Sequence, residues 1–207
     1  MVRPRRAHAR RRRLLLPRLP LAGRPDLFDS SVGAPPDAPL SPELVVGIQL
    51  VAALTVGPAI NTVFAVGEEF GWRGYLLPKL LPFGTRPAVV LVGVVWGVWH
   101  WPIIAMGYNY GFGYPGAPWT GMLAMVAMTT ATGTFLAWVT LWSESVWPAA
   151  LGHGAINAVG GVGLLFSRST DSLLLGPTVT GLLVVVPWAL LAAWLLLDHD
   201  RLSPPTG

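Results

Sequence analysis

Six residues with reactive or hydrogen-bonding side chains lie within or beside long apolar stretches of this 207-residue chain. They form three short motifs: EEFGWR from Glu68 to Arg73, WGVWH ending at His100, and HGAIN from His153 to Asn157. An ionisable group inside a membrane segment costs about 2.5–3.5 kcal/mol on insertion scales, so such groups are usually functional. The placement of these few polar residues is the strongest functional signal in the sequence.

The first motif contains two adjacent carboxylates and an arginine. On a helix, Glu69 and Arg73 are four residues apart and can pair, with the acid on the favourable amino-terminal side. Glu68 is turned about 100° away and lacks that partner. We therefore predict that Arg73 holds one carboxylate and that the other is available as a general base. The alternative is a helix end at the membrane surface with ordinary surface charges.

The two histidine motifs allow more than one interpretation. His100 lies among Trp residues and before Pro102, which limits the helix, and a lone histidine in such surroundings is more often packed than catalytic. His153 and Asn157 are four residues apart, so they share one helix face. Two such groups could stabilise an oxyanion, as preorganised donors do in acyl transfer. The alternative is a polar contact between membrane helices, worth about 0.6 kcal/mol on average.

The composition indicates that membrane helices position these motifs. The chain is 53% hydrophobic and 12% charged, has a mean hydropathy of +0.56 and contains ten Trp. A soluble domain carries about 25% charged residues. Since lipid offers no partner for free backbone groups, long apolar segments must be helices. The absence of Cys excludes disulfides, thiolate metal ligands and cysteine nucleophiles.

We predict an all-α fold, a polytopic transmembrane helix bundle with about five spans. Each apolar stretch is near the ~20 residues that a spanning helix needs. The predicted spans are Leu44–Val66, Ala88–Met106, Gly121–Trp142, Trp147–Phe166 and Pro177–Leu197.

The sequence divides into a membrane domain at residues 44–200, an amino-terminal region at 1–43 and a polar tail at 201–207. Residues 1–43 are an Arg-rich arm followed by a Pro-rich linker, a composition that predicts disorder. Lys79 and Arg86 favour a cytoplasmic first loop, which would place the amino terminus outside, whereas the nine Arg of the arm favour the inside. One resolution is that further helices belong before the first motif.

The order of the three motifs resembles the CPBP family of intramembrane proteases, the Abi group that includes the type II CAAX prenyl endopeptidases. Its pattern is EExxxR, then FxxxH, then HxxxN or HxxxD, on successive membrane helices, and the resemblance covers roughly residues 44–166. Trp96 departs from this pattern, since the family has Phe there, an exchange expected to preserve packing more than chemistry. Length departs too, because the family has about eight spans.

The resemblance implies a division of roles among the motif residues. Glu68 would activate a water molecule with help from His100. His153 and Asn157 would stabilise the oxyanion. The remaining two motif residues, Glu69 and Arg73, would orient the first motif.

The resemblance also implies a peptide or protein substrate in the membrane, either membrane-associated or lipidated. We expect an integral, multi-pass protein of the bacterial cell membrane, surrounded by the lipid bilayer and with no nucleic-acid partner. The Arg, Ala, Gly and Pro content is typical of a GC-rich genome.

The sequence leaves the cofactor and one rival function open. Glu68, His100 and His153 could ligate zinc in a catalytic arrangement, yet there is no HExxH motif, and we favour a mechanism that requires no cofactor. The rival is a non-enzymatic membrane carrier or bacteriocin-immunity scaffold that binds through the same polar groups. A carrier is expected to show repeated halves or paired broken helices, which we do not find in the sequence.

Overall fold

The computed structural model describes residues 41–166, 173–198 and 200–202, and within these ranges it contains helices and turns but no strand. The predicted all-α class is therefore confirmed for this part of the chain. Residues 1–40 of the predicted arm and linker, and residues 203–207 of the predicted tail, lie outside the described ranges.

Eight α-helices form the fold, joined by one π-helical and three 3-10 segments within the described residues. The α-helices are α1 (Pro42–Leu54), α2 (Val56–Glu69), α3 (Leu77–Leu80), α4 (Thr85–Trp99), α5 (Trp101–Ala105), α6 (Trp119–Ser143), α7 (Trp147–Ala158) and α8 (Leu182–Leu197). The π-helical segment is Phe70–Leu76, and the 3-10 segments are Leu81–Phe83, Val162–Phe166 and Asp200–Leu202.

Fewer helices reach membrane-spanning length than the sequence predicted. Among the described residues, Thr85–Ala105 and Trp119–Ser143 are long and apolar enough to cross a bilayer, and Glu43–Leu54 with Val56–Phe83 makes a third candidate bent by 44°. The bend falls at Thr55, whose ψ of −78° interrupts the helix.

Two of the five predicted spans contain helices that are shorter than the predicted apolar stretch. The predicted span Trp147–Phe166 contains the 12-residue helix α7, and Pro177–Leu197 contains the 16-residue helix α8. Helix α7 stops before the pair Gly160 and Gly161, where glycine weakens a helix. Both helices are shorter than the ~20 residues that a span needs.

Two closely packed helix pairs position the motifs. In the α4–α6 pair, a Cβ added at Gly93 would lie 2.6 Å from the Cα of Thr130. In the α2–α7 pair, a Cβ added at Gly154 would lie 2.6 Å from the backbone nitrogen of Thr62. Small residues of this kind let membrane helices approach closely. The first and third motifs are thereby placed side by side, and the second motif lies against α6.

A glycine-rich loop, residues 106–118, connects α5 to α6. Tyr110 and Tyr114 from this loop are buried with Ile104 and Met122 in one apolar cluster. The hydroxyl of Tyr110 also donates to the backbone oxygen of Thr180, at 3.1 Å. The loop is therefore fastened to the segment that precedes α8.

Candidate active site

A buried network joins the first motif to the third. Arg73 Nη1 and His153 Nδ1 contact the same oxygen, Glu69 Oε1, at 2.8 Å and 2.9 Å. Their residues are buried, with 0% of Glu69, 1% of Arg73 and 5% of His153 exposed. A carboxylate oxygen accepts hydrogen bonds, so both nitrogens donate to it, and His153 carries a proton on Nδ1. The predicted Glu69–Arg73 contact is present, and His153 joins it.

The π-helical segment Phe70–Leu76 carries Arg73 into this network. It follows the glutamate pair directly, and π-helical turns are frequent at functional sites. The guanidinium carbon of Arg73 lies 4.7 Å from the ring centroid of Trp96. Gly133 of α6 provides the space, since a Cβ there would lie 2.9 Å from Arg73 Nη2.

Glu68 has different surroundings from its neighbour. The indole Nε1 of Trp96 donates a hydrogen bond of 2.9 Å to Glu68 Oε2. Glu68 is half-buried and lines a cavity, whereas Glu69 is fully buried. Glu69 is therefore the carboxylate that Arg73 contacts, and Glu68 is the one that faces the cavity. The sequence missed that Trp96 supplies a hydrogen bond as well as packing.

His100 is oriented by the main chain. Its Nδ1 lies 2.8 Å from the carbonyl oxygen of Trp96, and a carbonyl can only accept, so Nδ1 carries a proton. The rings of Trp96 and Trp99 lie 5.9 Å and 5.0 Å from the His100 ring. His100 lines the same cavity as Glu68, and Nε2 is then its acceptor nitrogen in the neutral form. His100 is therefore packed among aromatic rings as predicted, and its Nε2 has no hydrogen-bond partner within the described ranges.

His153 and Asn157 reach the cavity from α7, on the shared face that their spacing predicted. The Asn157 side chain is exposed and makes no hydrogen bond within the described part of the chain. With Nδ1 engaged by Glu69, His153 has Nε2 as its remaining polar atom. Both side chains can therefore interact with a molecule in the cavity.

The cavity has a volume of about 440 Å³. Its lining contains four of the six predicted residues, namely Glu68, His100, His153 and Asn157. Glu69 and Arg73 do not line it. The lining also includes polar residues that sequence reasoning missed: Asn61, Tyr108, Asn109, Thr129, Thr132, Thr178 and Thr180.

These additional residues differ in how far the sequence could have revealed them. Asn61 is a polar residue inside an apolar run, which is the signal that identified the motifs. Thr129 and Thr132 are three residues apart on α6 and share a face. Tyr108 and Asn109 belong to an uncharged loop, and no local pattern connects that loop with the motifs.

The cavity lies deep along α6, the longest helix described. At a rise of 1.5 Å per residue, Thr129 and Thr132 are about 15 and 20 Å from the Trp119 end of a helix about 37 Å long. Trp142 is near the other end, and tryptophans collect at both membrane interfaces. The site is therefore near the middle of this helix.

Among the described residues that line the cavity, Glu68 is the only carboxylate, and no Lys or Arg is present. The cation of the site, Arg73, is buried behind Glu69. The cavity therefore combines one half-buried acid, two imidazoles and several uncharged hydrogen-bonding groups.

The described residues do not assemble an evident metal centre. Both histidines use Nδ1 for another contact and keep Nε2, as metal-ligating histidines do when a hydrogen bond at the other nitrogen orients the ring. However, no three His, Asp or Glu side chains in the described ranges are grouped so that they could hold a metal ion. Glu68, His100 and His153 do not form such a group in this arrangement.

Known proteins are similar to the part of the sequence that contains the three motifs. The family profile described as type II CAAX prenyl endopeptidase Rce1-like matches residues 49–159, which include all three motifs. The chain is also similar to CAAX prenyl protease 2 of Methanococcus maripaludis, with 29% identity over 96 residues. That alignment covers 45% of this chain and 35% of the relative, so it spans about a third of the relative's length. No solved structure matches the chain.

Proposed function

Because the chain belongs to the Rce1-like family of type II CAAX prenyl endopeptidases, an integral membrane family, we propose that it is an intramembrane endopeptidase. Its substrates would be membrane-associated or lipidated peptides. The observation that carries this proposal is the cavity that Glu68 lines from α2, His153 and Asn157 from α7, and His100 from the junction of α4 and α5.

Glu68 is the proposed general base. Its Oε2 accepts the indole N–H of Trp96, which leaves Oε1 for a water molecule in the cavity. His100 assists through Nε2, because Nδ1 is occupied by a carbonyl oxygen. As the water oxygen bonds to the peptide carbonyl carbon, its proton passes to Glu68.

His153 and Asn157 are the proposed oxyanion partners. Asn157 has an amide that bonds to no other described residue, so its N–H groups are available to the developing negative charge. His153 would donate from Nε2 in its doubly protonated form, with the Nδ1 proton directed at Glu69. The C–N bond then breaks, and Glu68 returns its proton to the leaving amine.

Glu69 and Arg73 are proposed as positioning residues. Neither lines the cavity, and together they hold the Nδ1 side of His153. This extends the role that the sequence predicted, since the pair would orient the third motif as well as the first.

No step of this proposal uses a metal ion. Independence from metal stays a prediction, and exhaustive chelation tests it. We expect cleavage to persist after chelation, whereas complete loss that zinc restores would contradict the prediction.

The direct test is peptide cleavage in reconstituted membranes. A panel of tagged candidate substrates, prenylated CAAX peptides included, would be compared between the wild type and variants. Glu68→Ala and His153→Ala should each abolish cleavage while expression and membrane insertion stay intact. Glu144→Ala is the control, because Glu144 is an exposed carboxylate that does not line this cavity. Normal cleavage by both site variants would refute the proposal.

A further inference from the structure

Trp96 contacts the candidate site through both its side chain and its backbone. Its indole N–H bonds to Glu68, and its backbone oxygen accepts from His100. One residue therefore contacts both groups that are proposed to share the attacking water.

The Trp96 ring is held in place on two further sides. The Arg73 guanidinium carbon lies 4.7 Å from its centroid, and the His153 ring meets it edge-on at 5.0 Å. Only 5% of Trp96 is exposed. A ring enclosed in this way has little rotational freedom, so the direction of its N–H bond is set by the surrounding packing.

The hydrogen bond restricts Glu68 in turn. Glu68 is half-buried beside a cavity, and a glutamate side chain with an open side has several rotamers available. The indole N–H selects those that present Oε2 to Trp96. The other oxygen is then left for the cavity in a repeatable position.

Ring packing alone does not explain this arrangement. A phenylalanine ring at position 96 would fill much of the same space, but it has no donor for Glu68 Oε2. The indole of Trp72 provides the comparison, because its Nε1 is buried without a hydrogen-bond partner among the described residues. The two tryptophans share a packed environment and differ in the bond to an acid.

We propose that Trp96 is a positioning residue, whose indole N–H fixes the Glu68 carboxylate in the orientation needed for reaction. The inference rests on the proposed function in that it takes Glu68 as the general base. The hydrogen bond itself can be examined without any substrate.

The kinetic test compares Trp96→Phe with Trp72→Phe. Since a hydrogen bond to a charged group is worth enough to change a rate about tenfold or more, we expect Trp96→Phe to lower kcat by at least about tenfold with little change in KM. Trp72→Phe removes an indole without removing a hydrogen bond and should retain kcat within about twofold. If the two variants keep equal kcat, the inference is wrong.

A second replacement separates the N–H group from ring size. Benzothienylalanine at position 96 keeps a bicyclic ring and replaces N–H by sulfur, so it should lower kcat as Trp96→Phe does. If the benzothienylalanine variant keeps the wild-type kcat while Trp96→Phe loses activity, the effect comes from packing. That result would overturn the proposal.

A spectroscopic test does not depend on catalysis. The indole N–H resonance of Trp96, assigned by its loss in Trp96→Phe, should shift in Glu68→Ala and stay unchanged in Glu144→Ala. No shift in Glu68→Ala would overturn the proposed contact. If the wild type cleaves no substrate in the panel, the proposed function fails, and this resonance alone then decides for or against the contact.

Discussion

At the scale of single residues, two neighbouring glutamates have separate surroundings. Glu69 is enclosed with Arg73 and His153, while Glu68 faces a cavity and accepts from Trp96. A buried carboxylate depends on its partners, because removing one leaves a charge in a medium that solvates it poorly. Glu69 should therefore matter for stability as well as for the site.

The contribution of Arg73 to stability can be measured as the change in the free energy of unfolding in detergent micelles when Arg73 is replaced. We expect Arg73→Met to lower it by about 3–5 kcal/mol, the usual effect of breaking a buried pair from one side. Lys79→Met is the matched control, since Lys79 is an exposed cation of the same region and should cost less than about 1 kcal/mol.

A double variant sharpens this prediction. Glu69→Gln combined with Arg73→Met should cost less than the sum of the two single changes, because no unpaired carboxylate then remains. Additive losses, or an Arg73→Met effect no larger than that of Lys79→Met, would contradict the buried pair.

At the scale of secondary-structure elements, the distance between α2 and α7 controls the site. These helices carry the Glu69–His153 contact, which joins residues 84 positions apart. Gly154, next to His153, lies against the α2 backbone, and an added Cβ would be 2.6 Å from Thr62 N and 2.9 Å from Pro58 O. Backbone atoms cannot move aside as flexible side-chain ends can, so the helices would have to separate.

Gly154→Ala should therefore destabilise the fold by about 1–3 kcal/mol through overpacking, with loss of cleavage. Gly67→Ala offers a control on α2, because a Cβ there meets nothing within 4 Å, and alanine is favoured over glycine in helices by about 1 kcal/mol. Thermal unfolding and cleavage assays of both variants provide the measurement. Equal behaviour of the two would argue against close α2–α7 packing.

The loop at residues 106–118 allows a pH prediction outside the membrane-spanning segments. Burial raises the pKa of Tyr110 to about 12, from an ordinary value of about 10. The folded state then keeps a proton that the unfolded state releases between these values. This group's contribution to stability, about 3 kcal/mol, is present below pH 10 and is lost as the pH rises through about 12.

Ultraviolet titration of tyrosinate in micelles would test this prediction. The wild type should show a step near pH 12 that is absent from Tyr110→Phe, whereas Tyr108→Phe should retain it. If Tyr110→Phe retains the titration step near pH 12, that step comes from another group and the prediction is wrong.

At the scale of the whole molecule, a hydrogen-bonding cavity lies inside a protein whose outer faces are apolar. Val63 and Phe64 on α2 are 73% and 76% exposed, as expected for side chains that face lipid. Asn157 is exposed as well, but it lines the cavity. Water should therefore reach Asn157 in the cavity, but not Val63 or Phe64 on the outer face of α2.

The absence of Cys from the chain makes single cysteines a clean probe of this difference. In proteoliposomes, Asn157→Cys should react with a charged, membrane-impermeant thiol reagent at least about tenfold faster than Val63→Cys, because only a hydrated thiol ionises readily. Equal rates would contradict either an aqueous cavity or a lipid-facing α2.

The features that depend on local geometry could be predicted from the amino-acid sequence. Helix periodicity predicted the contact between Glu69 and Arg73 and the shared face of His153 and Asn157, since positions four apart are neighbours on any helix. The apolar composition indicated the all-α class, because a backbone in lipid must satisfy its own hydrogen bonds. The order of the motifs indicated the family.

The contacts between one motif and another depend on the packing of the helices and could not be predicted. Glu68 and Trp96 are 28 positions apart, and Glu69 and His153 are 84 apart. These distances depend on how closely glycine-lined helix faces approach and on where the helices bend, which periodicity does not record. The breaks at Thr55 and after α7 likewise divide or shorten the apolar stretches among the described residues. Hydropathy measures how apolar a segment is, whereas backbone geometry decides how far its helix continues.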